Sequence, residues 1–191
     1  MLLREQAKKD EEPILRDKSF ELLLNTVKNN RPAKILEVGV NLGLSSIAML
    51  LECPNSTLTG IEISEEKAEQ AKENYKKFGV DKRAKIFIGD ACEIIPVLTG
   101  KYDFIFLDGP KGHYYEFLLN LLPILNKGGI LFADNVLFRG YVSGKVKTPH
   151  RFMTTKNSME KFLKRVTEDD KLETLIYDLE DGVSITKKIY E

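Results

Sequence analysis

The chain predicts an α/β protein built on a doubly wound, mostly parallel sheet that closes with an antiparallel hairpin. Short, nearly continuous apolar runs alternate with helical patterns five times, as expected for strands buried on both faces of a parallel sheet. The last two extended runs break that rhythm by flanking a Glu-Asp-Gly turn, which predicts a hairpin. With 191 residues, 42% hydrophobic and 30% charged, the chain is expected to form one domain over 1–191, in which residues 1–30 are a helical segment packing on the core.

The elements follow in order. Asp17–Asn29 carries Phe20, Leu23, Leu24 and Val27 on one stripe and predicts a helix against the sheet. The five parallel strands are expected at Lys34–Val38, Leu58–Ile61, Lys85–Ile88, Asp103–Leu107 and Gly129–Ala133. Ser64 is an N-cap candidate, followed by Glu65 and Glu66 in the positively polarised first turn. Ala68, Ala71, Tyr75 and Phe78 then share one face, and Gly79 supplies the stop. Helices are also expected toward Ile95 and at about Lys156–Val166, before hairpin strands at Leu172–Tyr177 and Val183–Lys187.

Composition excludes several classes. Twenty-nine basic residues balance 29 acidic ones, so global charge selects no partner. No apolar run is long enough to span a bilayer, and Met1–Glu12 lacks the apolar core of a secretion signal. A cytoplasmic protein without membrane association is expected. Cys53 and Cys92 lie far apart among apolar neighbours and read as reduced core thiols, a pattern that excludes a structural zinc.

In such a sheet, ligands bind beyond the carboxyl ends of the strands, at the point where the strand order reverses. After the first strand stands Glu37-Val-Gly39-Val-Asn-Leu-Gly43. Gly39 permits a tight turn, but Asn41 stands where a dinucleotide site needs its second glycine, which argues against a nicotinamide dehydrogenase. Glu37 adds a negative charge there, so a cationic or neutral ligand fits better than a pyrophosphate. Glu62, about 20 residues beyond the glycine turn, is placed to accept both hydroxyls of a ribose. Asp90, in Gly89-Asp90-Ala91, serves equally as an acceptor for an adenine amino group or as a helix N-cap.

After the fourth strand comes Asp108-Gly-Pro-Lys111, and after the fifth Asp134-Asn135. Two carboxylates meeting beside an amide at one poorly solvated mouth repel each other unless a cation joins them. Hard oxygen donors suit Mg²⁺ or a similar divalent ion. Lys111 beside them is either a charge partner or a base.

Together, Glu37-x-Gly39-x-x-x-Gly43, Glu62, Gly89-Asp90-Ala91, Asp108 and Asp134-Asn135 resemble the class I S-adenosylmethionine-dependent methyltransferases. More narrowly, they are similar to the metal-dependent O-methyltransferases related to catechol and caffeoyl-coenzyme A O-methyltransferases. The resemblance runs from about Pro13 to the C-terminus. Only a dozen residues precede Pro13, where that family carries a longer helical segment. The resemblance implies a Rossmann-like methyltransferase sheet. It places Gly39, Ser45, Glu62, Asp90 and Ala91 at cofactor-binding positions, with Glu37, Gly43 and Asp108 counted among them. Leu15 matches a position whose backbone closes over the cofactor. Asp108, Asp134 and Asn135 match metal ligands, Lys111 matches a lysine beside the acceptor oxygen, with Asp108 grouped with it as catalytic, and a homodimer is implied. Asp134-Asn-Val-Leu-Phe-Arg-Gly140, with Asp108-Gly-Pro-Lys-Gly-His-Tyr-Tyr115, is most similar to a bacterial subgroup that methylates 5-hydroxyuridine at the tRNA wobble position.

Charge placement leans the same way. From Asn135 to Met159 there is no Asp or Glu, whereas Arg139, Lys145, Lys147, Arg151 and Lys156 fall in that stretch beside His150. Phe138, Tyr141 and Phe152 are available to stack on unpaired bases. The expected activity is therefore methylation of 5-hydroxyuridine in tRNA, with Arg139, Lys145, Lys147 and Arg151 as RNA contacts. A small phenol of the catechol or caffeoyl-coenzyme A type is the alternative acceptor. A non-enzymatic module would need a spoiled ligand position, and none is spoiled.

Overall fold

The computed structural model describes residues 2–9, 12 and 14–190, with backbone alone for Leu2, Leu3 and Gln6. Helices α1 (Leu2–Lys9) and α2 (Asp17–Asn30) precede β1 (Lys34–Val38). Then follow α3 (Leu44–Glu52), β2 (Thr57–Glu62), α4 (Glu65–Lys77), β3 (Ala84–Ile88), the single turn α5 (Ala91–Ile94) and β4 (Tyr102–Leu107). The second half contains α6 (Tyr114–Ile124), β5 (Leu125–Asp134), α7 (Met153–Glu168), β6 (Leu172–Tyr177) and β7 (Val183–Lys188). Pro13 lies outside the described residues.

The seven strands form one sheet in the order β3-β2-β1-β4-β5-β7-β6. β1 to β5 are parallel, and the hairpin is antiparallel, with β7 inserted between β5 and β6. Successive strand residues point to opposite faces, so Ile35, Phe104, Phe106 and Phe132 bury themselves against α2, α3 and α4 residues such as Leu23, Leu50 and Tyr75. Leu36, Ile105, Leu107 and Leu131 pack the other face with Tyr114, Phe117, Leu121 and Phe162. Both faces are covered, which is why these strands read as continuous apolar runs.

The exceptions have local causes. β3 is an edge strand, and its Phe87 and Ile88 are each 41% exposed, so its apolar run does not report burial on both faces. Phe78 leaves the α4 stripe and is 39% exposed, because it caps the helix end before Gly79 turns the chain at φ 68°. Ser64 caps α4 as expected, its hydroxyl accepting from the Lys67 amide at 3.2 Å. Cys53 is buried with its thiol toward the Val27 carbonyl, whereas Cys92 is half-buried and not a core residue. Among the described residues no helix is long and apolar enough to cross a membrane.

Candidate active site

The strand order reverses between β1 and β4, and the turns after these two strands touch. The Asp108 amide donates to the Val38 carbonyl at 3.0 Å. Gly39 has φ 92°, and a Cβ there would lie 2.3 Å from the Asp108 carbonyl oxygen. Only glycine permits that backbone approach. Gly43 enters α3 at φ 75°, where a Cβ would meet the Tyr75 ring at 2.6 Å.

Leu15, Gly39, Ser45 and Asp108, four of the expected cofactor positions, line one cavity of about 30 Å³. Arg4 and Phe20 line it too. The Arg4 guanidinium donates to the Leu15 carbonyl, bonds Asp17 at 2.9 Å and stacks 4.1 Å from the Phe20 ring centroid. The chain before β1 therefore folds over the cavity. Sequence reading missed Arg4, which sits in a charged stretch with no pattern to mark it.

Glu62 lies at the end of β2, 8% exposed. One of its carboxylate oxygens accepts from the Asn41 amide at 2.7 Å and the other from the Ser64 amide at 2.9 Å. Each oxygen keeps a second lone pair for a hydroxyl donor. Asp90 adopts the N-cap role for α5, accepting from the Cys92 amide at 2.8 Å. Ala91 follows it, 8% exposed.

Glu37 departs from expectation. It is fully buried behind the glycine turn, and its two oxygens accept from the Ser45 and Ser46 hydroxyls. Burial pushes its carboxyl up to about 8, against the two serine bonds. It is thus an interior anchor for the start of α3 and not an exposed negative charge facing the ligand.

Leu107 pairs with Ala133 in the parallel register, so Asp108 and Asp134 leave adjacent strands side by side. Asp134 is 3% exposed, and its Oδ1 is buried without a hydrogen-bond partner. Burial first, and then the Asp108 charge, raises its carboxyl to about 7. Asn135 follows with φ 57°, a left-handed conformation that asparagine tolerates better than most residues. An orphaned buried carboxylate oxygen beside a second carboxylate and an amide is a donor set that fits a hard divalent cation.

Lys111 closes the cluster, its ammonium 2.7 Å from Asp108 Oδ1. Burial works against that charge, but the Tyr114 oxygen and the Asp108 carboxylate outweigh it and hold the ammonium above its ordinary range. Lys111 is a charge partner in this arrangement. Tyr114, also missed, is fully buried and its hydroxyl spans the Leu107 and Asp134 carbonyls at 3.1 and 3.0 Å. It ties together the two strand ends that carry the acids.

Past Asn135, the chain runs through the acid-free stretch beside the hairpin turn. Arg139, Lys145, Lys147 and Arg151 are all exposed. The Arg139 and Arg151 guanidinium groups lie 5.5 and 4.7 Å from the Phe152 ring centroid. Tyr141 stacks on Phe152 and Phe138 meets both edge to face, with centroids 5.5 to 5.7 Å apart, so these rings already engage one another. The acid-free stretch is not acid-free in space. Asp178 pairs with Lys145 at 2.6 Å, and Asp181 accepts from the Arg139 amide. Both acids come from the hairpin turn, distant in sequence and adjacent in the fold.

A parallel sheet with an inserted C-terminal strand, a glycine turn at the β1/β4 reversal and an acid after β2 define the S-adenosylmethionine-dependent methyltransferase class. The model of the O-methyltransferase family matches residues 5–189, and the chain belongs to that family. It is 28% identical over 180 residues to caffeoyl-CoA O-methyltransferase of Stellaria longipes, covering 89% of this chain and 74% of that one. Catechol O-methyltransferase of Sus scrofa is 33% identical over 131 residues, 64% of this chain and 70% of the relative. Among solved structures, a putative caffeoyl-CoA O-methyltransferase from Staphylococcus aureus superposes with TM-score 0.87 at 27% identity, covering 98% of this chain and 90% of that one. The fold is also that of the O-methyltransferase TomG from Streptomyces achromogenes, solved with S-adenosylmethionine, at TM-score 0.84 and 22% identity over 95% and 85% of the two chains. The protein is an S-adenosylmethionine-dependent O-methyltransferase.

Proposed function

We propose that this enzyme methylates the 5-hydroxyl of 5-hydroxyuridine at the tRNA wobble position, with Asp108, Asp134 and Asn135 holding a divalent cation, Mg²⁺ in the first instance, and acting as a homodimer in the cytoplasm. The observation that carries the metal is the buried, unpartnered Oδ1 of Asp134 beside Asp108. The observation that carries the RNA is the exposed cationic rim that follows those ligands, with Arg139 and Arg151 over Phe152.

Methyl transfer to oxygen is an in-line displacement whose donor is already activated, so the protein must hold a deprotonated acceptor in line. Asp108, Asp134 and Asn135 would hold a divalent ion that supplies Lewis-acid chemistry, lowering the pKa of an acceptor hydroxyl that has a neighbouring oxygen. In 5-hydroxyuracil those are the 5-hydroxyl and the 4-carbonyl. Gly39 and Ser45 form the floor of the donor site, Glu62 takes the ribose hydroxyls, and Asp90 with Ala91 borders the adenine. Leu15 and its clamp to Arg4 exclude water from the donor. Lys111, held charged by Asp108, steadies the acceptor oxygen's negative charge. Arg139, Lys147 and Arg151 meet phosphates, while Lys145 must exchange Asp178 for one.

The curated relatives favour a second reading, a small phenol with vicinal oxygens. Labelled S-adenosylmethionine with Mg²⁺, offered hydroxyuridine-bearing tRNA and separately a catechol, each with and without chelator, separates the two. Chelator-sensitive label in tRNA well above the catechol rate is expected. Label in catechol alone leaves the small-molecule reading standing and removes the RNA one.

A further inference from the structure

Outside the oxygen-rich cluster, the fold assembles a softer one. Cys92 in α5, His113 at the end of the turn that begins with Lys111, and Glu116 in the first turn of α6 converge, with one ligand atom of each within 4.8 Å of the others. Among the described residues they are the one such group of three His, Cys, Asp or Glu side chains. His113 Nδ1 lies 3.2 Å from Glu116 Oε2, and its ring rests 5.8 Å from Phe117, which limits its orientation. Cys92 is half-buried and the other two are exposed, so an ion has access and a water can complete the shell.

We infer that Cys92, His113 and Glu116 form a second metal site, selective for a borderline divalent ion such as Zn²⁺. Three protein ligands of S, N and O type plus one water make the open tetrahedral set zinc favours. Ligand atoms around such an ion lie about 3.3–3.6 Å apart, so the His113–Glu116 spacing is already short enough and the thiol must draw in by up to about 1.5 Å. Thiolate and imidazole discriminate against Mg²⁺, which the oxygen ligands of Asp108 and Asp134 prefer. The site uses one cysteine, so the cysteine spacing that excludes a multi-cysteine zinc motif does not bear on it. The legible signal is His-x-x-Glu at 113–116, which places both side chains one turn apart on the same face. Coordination sends the Cys92 thiol proton to solvent. The bound ion would clip the segment after β3 to the loop after β4.

The test is Co²⁺ titration of the full-length reduced protein saturated with Mg²⁺, read by near-ultraviolet absorbance. A thiolate–cobalt charge-transfer band, saturating at one equivalent and displaced by Zn²⁺, is the expected result. Cys92→Ser loses the band, His113→Ala weakens binding at least about tenfold, and Cys53→Ser leaves it unchanged. Circular dichroism checks that each variant is folded. No band at excess Co²⁺, a band that survives Cys92→Ser, or one that depends on Cys53 overturns the assignment. The readout does not involve methyl transfer, so it succeeds or fails separately from the acceptor.

Discussion

Asp134 shows how one side chain sets stability against activity. Its carboxyl is raised from 3.8 to about 7 by burial and by Asp108, so between those values the folded chain binds more protons than the unfolded one. Linkage then makes the metal-free protein lose this contribution as pH rises through that window, with none recovered above it. Asp134→Asn is expected to raise the melting temperature of the metal-free protein at pH 8, by about 2–4 °C for each kcal/mol of relieved charge, while metal-dependent transfer is lost. Calorimetry with and without Mg²⁺ at pH 5 and pH 8 checks both signs. An Asp134→Asn variant less stable than the parent at pH 8 refutes the account. Glu37 has the same sign for a different purpose, since the Ser45 and Ser46 hydroxyls of α3's first turn hold it as a structural acid within β1.

At the scale of elements, the N-terminal helices illustrate dependence on distant chain. α2 has no side-chain cap of its own at Arg16. Its first amides are instead taken by Glu180 from the hairpin turn, with Ser19 N and Oγ at 3.1 and 2.7 Å. α1 is latched in turn by Arg4 and Lys8 on Asp17. These are mostly exposed pairs of modest strength, so α1 is held only weakly over the cavity that Arg4 and Leu15 line. Arg4→Ala unlatches Leu15 and should weaken S-adenosylmethionine binding roughly fivefold, about 1 kcal/mol, with little change in overall stability. Isothermal titration measures the first and thermal melting the second. Unchanged affinity would mean that the latch plays no part in closing the donor site.

For the whole molecule, charge is balanced overall and uneven locally. A neutral chain with a cationic rim predicts RNA turnover that falls with salt, through counterion release, while a phenolic acceptor feels little salt. Neutralising Arg139 and Arg151 together, as Arg139→Gln with Arg151→Gln, should reduce the slope of log(kcat/KM) against log[salt] by roughly 1.5 on tRNA. It should leave catechol turnover unchanged. Equal loss on both acceptors would make the rim a structural part of the site and not a phosphate contact.

The strands, the cap at Ser64 and the convergence of Asp108 with Asp134 were legible because they depend on local pattern and on the rule that places ligands beyond strand ends. Sequence by itself determined the sheet, its hairpin, the glycine turn and the two acids that end β4 and β5, since periodicity and turn chemistry act within a few residues. Tertiary structure alone decided the rest. It buried Glu37 behind its turn, exposed β3 at the sheet edge, set Asp178 against Lys145, and drew Arg4 over the cavity beside Gly39. Lys145 meets Asp178 across 33 residues and Arg4 meets Leu15 across 11; burial and charge pairing follow distance in space, which one-dimensional spacing does not encode.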